Sequence, residues 1–192
     1  MSSPTELGFE VLRALWLSVP VLFAAALQIL VIKQDWLRRL KRPIDGGRCL
    51  GGVRVFGDNK TWRGLLVYVG GAAVGALGQG LLRFPRLEIP GVDYARPLEL
   101  ALLGALLGLG FAVGELPNSF CKRRRGIAPG ARGSPFWVVM DQVDSLFGCL
   151  LALCVLWIPP WTTWAVVLGL GVGLHIAFNG VFVLLGLKKS VF

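Results

Sequence analysis

The sequence predicts an all-α, polytopic integral membrane protein with five transmembrane helices, two large cytoplasmic loops, an outside N-terminus and an inside C-terminus. Of its 192 residues, 55% are hydrophobic, and the mean hydropathy of +0.67 exceeds what a soluble domain of this size carries. Several apolar runs are long enough to cross a bilayer, and the charges lie mainly in the connections between them. A single membrane domain covering residues 1–192 accommodates this pattern.

The first two spans are predicted at about residues 12–33 and 64–82. A membrane-spanning helix takes about 20 apolar residues, and both runs reach that length. Pro20 interrupts the first run, but a proline can kink a membrane helix without breaking it. The second run is uncharged and contains small residues that permit close helix contact, namely Gly70, Gly71, Gly75, Gly78 and Gly80.

The third span, predicted at about residues 98–116, has a short apolar centre between Glu99 and Glu115. To cross the bilayer the helix must include its flanks, which places Glu115 inside its end. Pro117 is expected to end the span and to begin a loop over residues 117–136.

The fourth and fifth spans are predicted at about residues 137–158 and 161–187, separated by Pro159-Pro160. The uncharged part of the fourth span begins only at Ser145, so the helix must start near Trp137 to be long enough. That start places Asp141 and Asp144 one to two turns into the helix.

The charge distribution predicts the orientation. The formal net charge is +9, with 20 Lys and Arg residues in all. Sixteen of these fall in residues 33–63, in residues 120–135 or in the C-terminal tail, against four on the opposite side. Because basic residues concentrate in cytoplasmic loops, residues 34–63 and 117–136 are predicted to be cytoplasmic. The pattern indicates a multi-pass protein of the cell membrane, with no nucleic-acid partner.

The four cysteines lack metal-ligand spacing. Cys49 and Cys121 fall on the basic side, and Cys149 and Cys154 fall in an apolar span. All four are predicted to be free structural thiols.

Asp141 and Asp144 form the first candidate site. Their i, i+3 spacing places both carboxylates on one helix face, and oxygen ligands of this kind suit Mg²⁺. The alternative is an acidic pair that matches neighbouring arginines at a helix N-terminus. Glu115 is either a third metal ligand or a buried ion-pair partner of Arg123 or Arg124.

Two basic segments, the first at residues 59–63 and the second at residues 118–124, are candidate phosphate-binding sites. Arginine binds phosphate in a planar, bidentate manner, lysine supplies a point charge, and glycine-rich backbone can turn N–H groups toward an anion. The alternative is a positive-inside cluster that contacts lipid headgroups. The candidate binding residues are Asn59, Lys60, Thr61, Arg63, Asn118, Ser119, Lys122, Arg123 and Arg124. The first segment lacks the Walker A pattern.

His175 and Asn179 lie one turn apart in the last span. They could bind a substrate, or they could hydrogen-bond between helices. A single histidine in the chain does not favour zinc as the metal.

Four motifs occur together: GDNKTWRG at residues 57–64, GELPNSFCKRR at 114–124, DQVD at 141–144, and H-x3-N at 175–179 followed by GLKK. In combination they resemble the CDP-archaeol synthase family of archaeal ether-lipid synthesis. The similarity extends from the first loop to the C-terminus.

The resemblance implies a five-helix, Mg²⁺-dependent cytidylyltransferase. Such an enzyme transfers CMP from CTP to digeranylgeranylglyceryl phosphate, an isoprenoid lipid, and gives CDP-archaeol and pyrophosphate. The family is distantly similar to bacterial CDP-diglyceride synthetases. Pro135-Phe136-Trp137 stands where those enzymes have a Gly-His-Gly-Gly run, so their metal-ligand geometry is not carried over.

Site roles follow as hypotheses. Asp141, Asp144 and Lys122 are predicted to be catalytic, and Asp141, Asp144 and Glu115 are predicted to hold the metal. Lys122, Arg123 and Arg124 would bind the triphosphate of CTP. The segment from Asn59 to Arg63 would complete the nucleotide end or the lipid-phosphate end.

Two other functions remain as alternatives. A CDP-alcohol phosphotransferase would have a D-x-x-D-G-x-x-A-R arrangement, but Asp144 is followed here by Ser145-Leu146-Phe147-Gly148. A small membrane transporter would use its carboxylates to relay ions, but the acids cluster at one end of the spans.

Overall fold

Five helices dominate the computed structural model, which describes residues 4–82, 84–131 and 133–184. They are α1 (Pro4–Lys33), α2 (Trp62–Leu82), α3 (Pro97–Arg124), α4 (Pro135–Leu153) and α5 (Trp161–Leu184). The connection from α1 to α2 contains a 3-10 turn at Arg38–Leu40 and an antiparallel hairpin of β1 (Cys49–Leu50) and β2 (Val53–Arg54). The chain is therefore mostly helical, as predicted, and the hairpin corrects the all-α assignment.

The hairpin forms because two glycines occupy its turn. Gly51 and Gly52 have φ values of 59° and 76°, and a two-residue turn of this kind takes positive φ at both central positions. Glycine adopts that conformation without the steric cost that a Cβ would add.

Four helices within the described residues, α1 to α4, are long and apolar enough to cross a membrane. The segment Trp161–Leu174 of α5 is also apolar but shorter. These lengths support a multi-pass membrane protein, and the count of five crossings stays a prediction.

Helix α3 is longer than the predicted third span. It continues through Pro117 to Arg124, so residues 117–124 are helical, whereas the sequence predicted a loop from residue 117. A proline inside a membrane helix is tolerated where neighbouring groups compensate the missing N–H. Three basic residues in the last turn also favour the helix, because cations interact well with a helix C-terminus.

Two other helices differ from the predicted bounds. Helix α1 begins at Pro4 rather than near residue 12, and its early turns include the ion pair of Arg13 with Glu10 at 2.5 Å. Helix α4 begins at Pro135 and ends at Leu153, short of the predicted residue 158. Beyond it, turn hydrogen bonds such as Leu156 N–H to the Leu153 carbonyl (3.0 Å) carry the chain toward the proline pair.

The five helices form a closed ring, in which each helix packs on its sequence neighbours and α5 also packs on α1. Helix α3 packs closely on both sides through glycines. A Cβ at Gly108 would collide with the backbone of Tyr68 in α2, and a Cβ at Gly114 would lie 2.6 Å from the Asp144 carbonyl oxygen in α4. These close approaches bring the Asp141 and Asp144 face of α4 onto α3.

Candidate active site

An amide on α3 joins the two acids of α4. The Asn118 Nδ2 group donates to Asp141 Oδ1 at 2.6 Å and to Asp144 Oδ2 at 2.8 Å. The predicted placement of both carboxylates on one helix face is therefore confirmed. Asn118 is buried, so its bonds to the acids replace those that water would make.

Lys122 neutralises one of these acids. Its Nζ lies 2.8 Å and 3.1 Å from the two carboxylate oxygens of Asp141. The lysine side chain is 8% exposed, whereas that of Asp141 is 39% exposed. Asp141 is therefore more accessible to solvent than Lys122. Ser119 is buried on α3, the helix that also carries Lys122.

Glu115 has a partner that the sequence did not predict. Its Oε2 forms an ion pair with Lys60 of the first loop rather than with Arg123 or Arg124. Its Oε1 accepts a hydrogen bond from the Ser145 hydroxyl at 3.2 Å, and the same hydroxyl lies 3.1 Å from Asp144 Oδ1. Ser145 thus links Glu115 to the acidic pair.

The predicted three-carboxylate metal site is not assembled in this structure. Among the described residues, no group of three or more His, Cys, Asp or Glu side chains is placed to hold a metal. Asp141 and Asp144 nevertheless offer the hard oxygen ligands that suit Mg²⁺, which often binds through one or two carboxylates together with substrate phosphates. The Oδ1 atom of Asn118 is buried without a hydrogen-bond partner, so the amide that binds both acids also carries an unsatisfied oxygen. This donor set fits Mg²⁺.

The two arginines after Lys122 have different surroundings. Arg124 donates to the backbone carbonyls of Leu50, of Val53 at 2.7 Å and of Arg54 at 2.7 Å, so its guanidinium holds the hairpin. Arg123 is 6% exposed, and its Nε and Nη1 atoms have no hydrogen-bond partner. A buried, unsatisfied guanidinium is a strong candidate for binding an anion.

Asp45 organises the first loop. Its carboxylate accepts hydrogen bonds from the backbone N–H groups of Gly47 (3.0 Å), Phe56 (3.0 Å) and Gly57 (3.2 Å), and from Arg54 (2.9 Å). Burial alone would raise the pKa of Asp45, but these donors lower it to about 2. Asp45 therefore holds the loop together from within, a role that the sequence did not predict.

The residues that begin α2 hold this helix and the loop in place. The Thr61 hydroxyl accepts the Gly64 N–H at 3.2 Å, which caps the N-terminus of α2. Arg63 is buried and donates to Asp35 at 3.0 Å and to the Trp36 carbonyl at 3.3 Å. Its predicted role in substrate binding stays a prediction, since these contacts stabilise the turn after α1.

A cavity of about 770 Å³ lies within the ring and is lined by all five helices. Its lining is mostly apolar. Apart from Ser18 and Tyr68, its polar residues come from the C-terminal part of α1, from the segment before α2 and from α3, and together they form a polar end. That polar end consists of Gln28, Lys33, Asn59, Lys60, Thr61 and Glu115. Gln28 and Ser145 were not predicted as site residues, although a polar residue inside an apolar run and a serine directly after Asp144 are signals that the sequence offers.

Other predicted residues are placed as follows. The four cysteines are free, as predicted. The side chains of His175 and Asn179, and residues 186–189 of the GLKK motif, lie outside the described residues.

The fold and the site together define a class of protein: a multi-pass helical membrane protein with an ionic site beside an apolar cavity, as an enzyme acting on amphiphilic molecules would have. Within that class, the chain belongs to the CarS-like CDP-archaeol synthase family, whose model matches residues 9–192.

Individual relatives agree with this assignment. The CDP-archaeol synthase of Halobacterium salinarum (strain ATCC 29341 / DSM 671 / R1) is 38% identical over 156 residues, which cover 78% of this chain and 82% of the relative. The CDP-archaeol synthase of Thermococcus onnurineus (strain NA1) is 40% identical over 142 residues, covering 73% of each chain. A solved structure of an intramembrane enzyme for archaeal membrane lipids biosynthesis superposes with a TM-score of 0.64 at 26% identity, covering 88% of this chain and 94% of that one.

Proposed function

We propose that this chain is a CTP-dependent cytidylyltransferase that converts digeranylgeranylglyceryl phosphate to CDP-archaeol. The observation that carries the proposal is the apolar cavity whose polar end adjoins the Asp141, Asp144 and Lys122 network. An isoprenoid chain would occupy the apolar part, while a phosphate at its end would reach the ionic site. Membership of the family supports the same reaction.

The reaction is a nucleotidyl transfer without a protein nucleophile. An oxygen of the lipid phosphate attacks the α-phosphorus of CTP, and the bond from that phosphorus to the bridging oxygen of the β-phosphate breaks. The electron pair leaves with pyrophosphate. Catalysis of this kind rests on positioning and on neutralising charge.

The buried side chains of Lys122 and Arg123 would bind the phosphates of the nucleotide. Arg123 has unsatisfied donors, and Lys122 can exchange its bond to the half-exposed Asp141 for a phosphate oxygen. Such charge-assisted contacts are stronger than neutral ones and orient the leaving group. Asn118 holds Asp141 and Asp144 together, and Asp141 is bound to Lys122.

We also propose that the enzyme is Mg²⁺-dependent and that Asp141 and Asp144 hold the ion. When bound, Mg²⁺ neutralises charge on phosphate oxygens. Glu115 is the weaker candidate ligand, because Lys60 and Ser145 already occupy its two oxygens.

The orientation is proposed from charge. The network lies at the end of the helices that adjoins residues 34–63 and the last turn of α3, where most basic residues are found. Five crossings with the N-terminus outside would put this end in the cytoplasm, where CTP is available.

The proposal is tested with the purified chain in detergent, digeranylgeranylglyceryl phosphate, Mg²⁺ and CTP labelled at the α-phosphate. The expected result is labelled lipid and an equal amount of pyrophosphate. The matched control is the corresponding lipid alcohol without phosphate, which should take up no label. Release of CMP from a supplied CDP-lipid, without incorporation from CTP, would instead indicate a phosphotransferase.

A further inference from the structure

The polar end of the cavity carries more positive than negative charge. Lys33 and Lys60 both line it, and Glu115 is the one carboxylate in its described lining. Lys60 is paired with Glu115, whereas Lys33 makes no ion pair with any described residue. This end therefore favours an anion.

The ion pair between Lys60 and Glu115 is only partly accessible to water. The side chains of Lys60 and Glu115 are 18% and 28% exposed, and the residues are 55 positions apart in the sequence. A lysine in such a place is unfavourable without a counter-charge. Glu115 supplies that charge while the cavity holds no anionic ligand.

Glu115 also separates two parts of the ionic site. The cavity lining includes Lys60 and Glu115 but neither Lys122 nor Arg123. Ser145 bridges Glu115 to Asp144 on the far side. A phosphate attached to a chain in the cavity would therefore meet Lys60 first.

We propose that Glu115 is a stand-in anion, which neutralises Lys60 until the phosphate of the lipid substrate displaces it. Lys60 is then the lipid-phosphate ligand, and Glu115 is a positioning residue that remains bonded to Ser145. The assignment rests on the proposed function and deepens it, because it allots Lys60 to the lipid and leaves Lys122 and Arg123 for the nucleotide.

The test is equilibrium binding of radiolabelled digeranylgeranylglyceryl phosphate to the full chain in detergent, without CTP or added metal. Glu115→Gln removes the competing charge and should bind the lipid several-fold more tightly. Lys60→Gln should weaken binding by roughly tenfold or more, as expected for loss of a charge-assisted contact. In the double variant, Glu115→Gln should have no further effect, because its effect acts through Lys60.

A matched variant and a matched probe test whether the change in lipid affinity depends on Glu115 and on the cavity. Glu99→Gln makes the same chemical change at the other end of α3, where Glu99 pairs with Arg96 at 3.3 Å, and should leave lipid affinity unchanged. Glycerol phosphate, which lacks the chains, should compete poorly. Equal competition by glycerol phosphate would overturn the role of the cavity.

Two outcomes would overturn the proposal: lipid affinity that is unchanged in Glu115→Gln, or affinity that is lowered together with the melting temperature. If Glu115→Gln does not fold, Glu115→Asp takes its place, since it withdraws the carboxylate by one methylene and should also bind the lipid more tightly. Unchanged lipid affinity in Glu115→Asp would likewise overturn the proposal. A wild-type chain that shows this binding pattern but forms no CDP-lipid contradicts the proposed reaction alone. A chain that forms CDP-lipid without the pattern contradicts the Glu115 exchange alone.

Discussion

At the scale of single residues, Asp141 and Asp144 share one amide but differ in their other partners. Asp141 is bound to the ammonium group of Lys122, whereas Asp144 accepts the Ser145 backbone N–H at 2.6 Å and hydroxyl at 3.1 Å. Removing one member of an ion pair leaves the other charge without compensation. Removing a carboxylate that has only neutral donors leaves no such charge.

Asp141→Asn and Asp144→Asn should therefore separate catalysis from stability. Both variants should lose turnover by orders of magnitude if the pair holds Mg²⁺, since metal-based charge stabilisation supplies several kcal/mol. Asp141→Asn should also lower the free energy of unfolding by about 1 to 3 kcal/mol, because Lys122 loses its partner. Asp144→Asn should unfold at the same temperature or higher.

Turnover and melting temperature are measured on the same preparations, with Glu99→Gln as the control. Near-normal turnover of either variant at limiting Mg²⁺ would remove that residue as an essential metal ligand.

Arg123 and Arg124 are adjacent in sequence but should give different phenotypes. Arg123→Ala should weaken CTP binding by roughly tenfold or more, since the unsatisfied guanidinium is the better phosphate ligand. Arg124→Ala should instead free the hairpin at Leu50 and Val53, which trypsin would then cleave faster at Arg48 or Arg54. Isothermal titration with CTP and timed proteolysis compare the two variants. Equal loss of CTP affinity with unchanged proteolysis would assign both arginines to the nucleotide.

At the scale of elements, α3 positions the site because glycines let it approach α2 on one side and α4 on the other. Gly110 and Gly148 occupy one crossing with α4, where a Cβ on either residue would collide with the backbone of the other helix. The register of α3 against α4, and with it the Asn118 bridge, depends on this contact.

Gly110→Ala should therefore destabilise the bundle by about 1 to 3 kcal/mol, as overpacking does in closely packed interiors. It should lower turnover as well, because α4 must shift away from Asn118. Gly78→Ala is the matched control, since a Cβ at Gly78 meets no atom within 4 Å. Melting temperature and turnover are compared, and equal stability of the two variants would contradict the tight crossing.

The first loop is an element organised by one carboxylate, which makes its order depend on pH. The pKa of Asp45 is about 2 in the folded loop against 3.8 for an ordinary aspartate, so its contribution to the free energy of unfolding is present above about pH 4. It is lost as the pH falls toward 2, and amounts to roughly 2 kcal/mol at most. Hydrogen exchange at the Phe56 and Gly57 amides, corrected for intrinsic rates, should rise over that range. In Asp45→Asn both amides should exchange rapidly at either end of that pH range. Protection that does not change with pH in the wild type would contradict the role of Asp45 in ordering the loop.

The helices could be predicted from the sequence because apolar length and proline positions are local properties. The placement of Asp141 and Asp144 on one face followed from helical periodicity alone. The pairing of Lys60 with Glu115 and the grip of Arg124 on backbone carbonyls could not be predicted, since each joins residues 55 or more positions apart. The sequence predicts a helix end at Pro117, whereas α3 continues to Arg124, because tolerance of a proline depends on neighbouring helices that the local sequence does not reveal.

At the scale of the whole molecule, the ring of helices combines an apolar interior with a strongly basic end. Lys33 ends α1, the hairpin follows it, and α3 ends in Lys122, Arg123 and Arg124. The loop between α2 and α3 carries Arg86 and Arg96 but also Glu88 and Asp93. The positive-inside rule supports the proposal that the basic end faces the cytoplasm.

A reporter that is active only in the cytoplasm tests this orientation directly. Fused after Phe192 it should be active, and inserted between Arg86 and Arg96 it should be silent, because five crossings place these points on opposite sides. A reporter active only outside the cytoplasm, placed at the same two points, is the matched control and should give the reverse pattern. Activity of the cytoplasmic reporter at both points would mean an even number of crossings between them. Activity at residues 86–96 alone would turn the Lys122 and Arg123 end outward and separate it from cytoplasmic CTP, so the orientation and the proposed reaction would fail together.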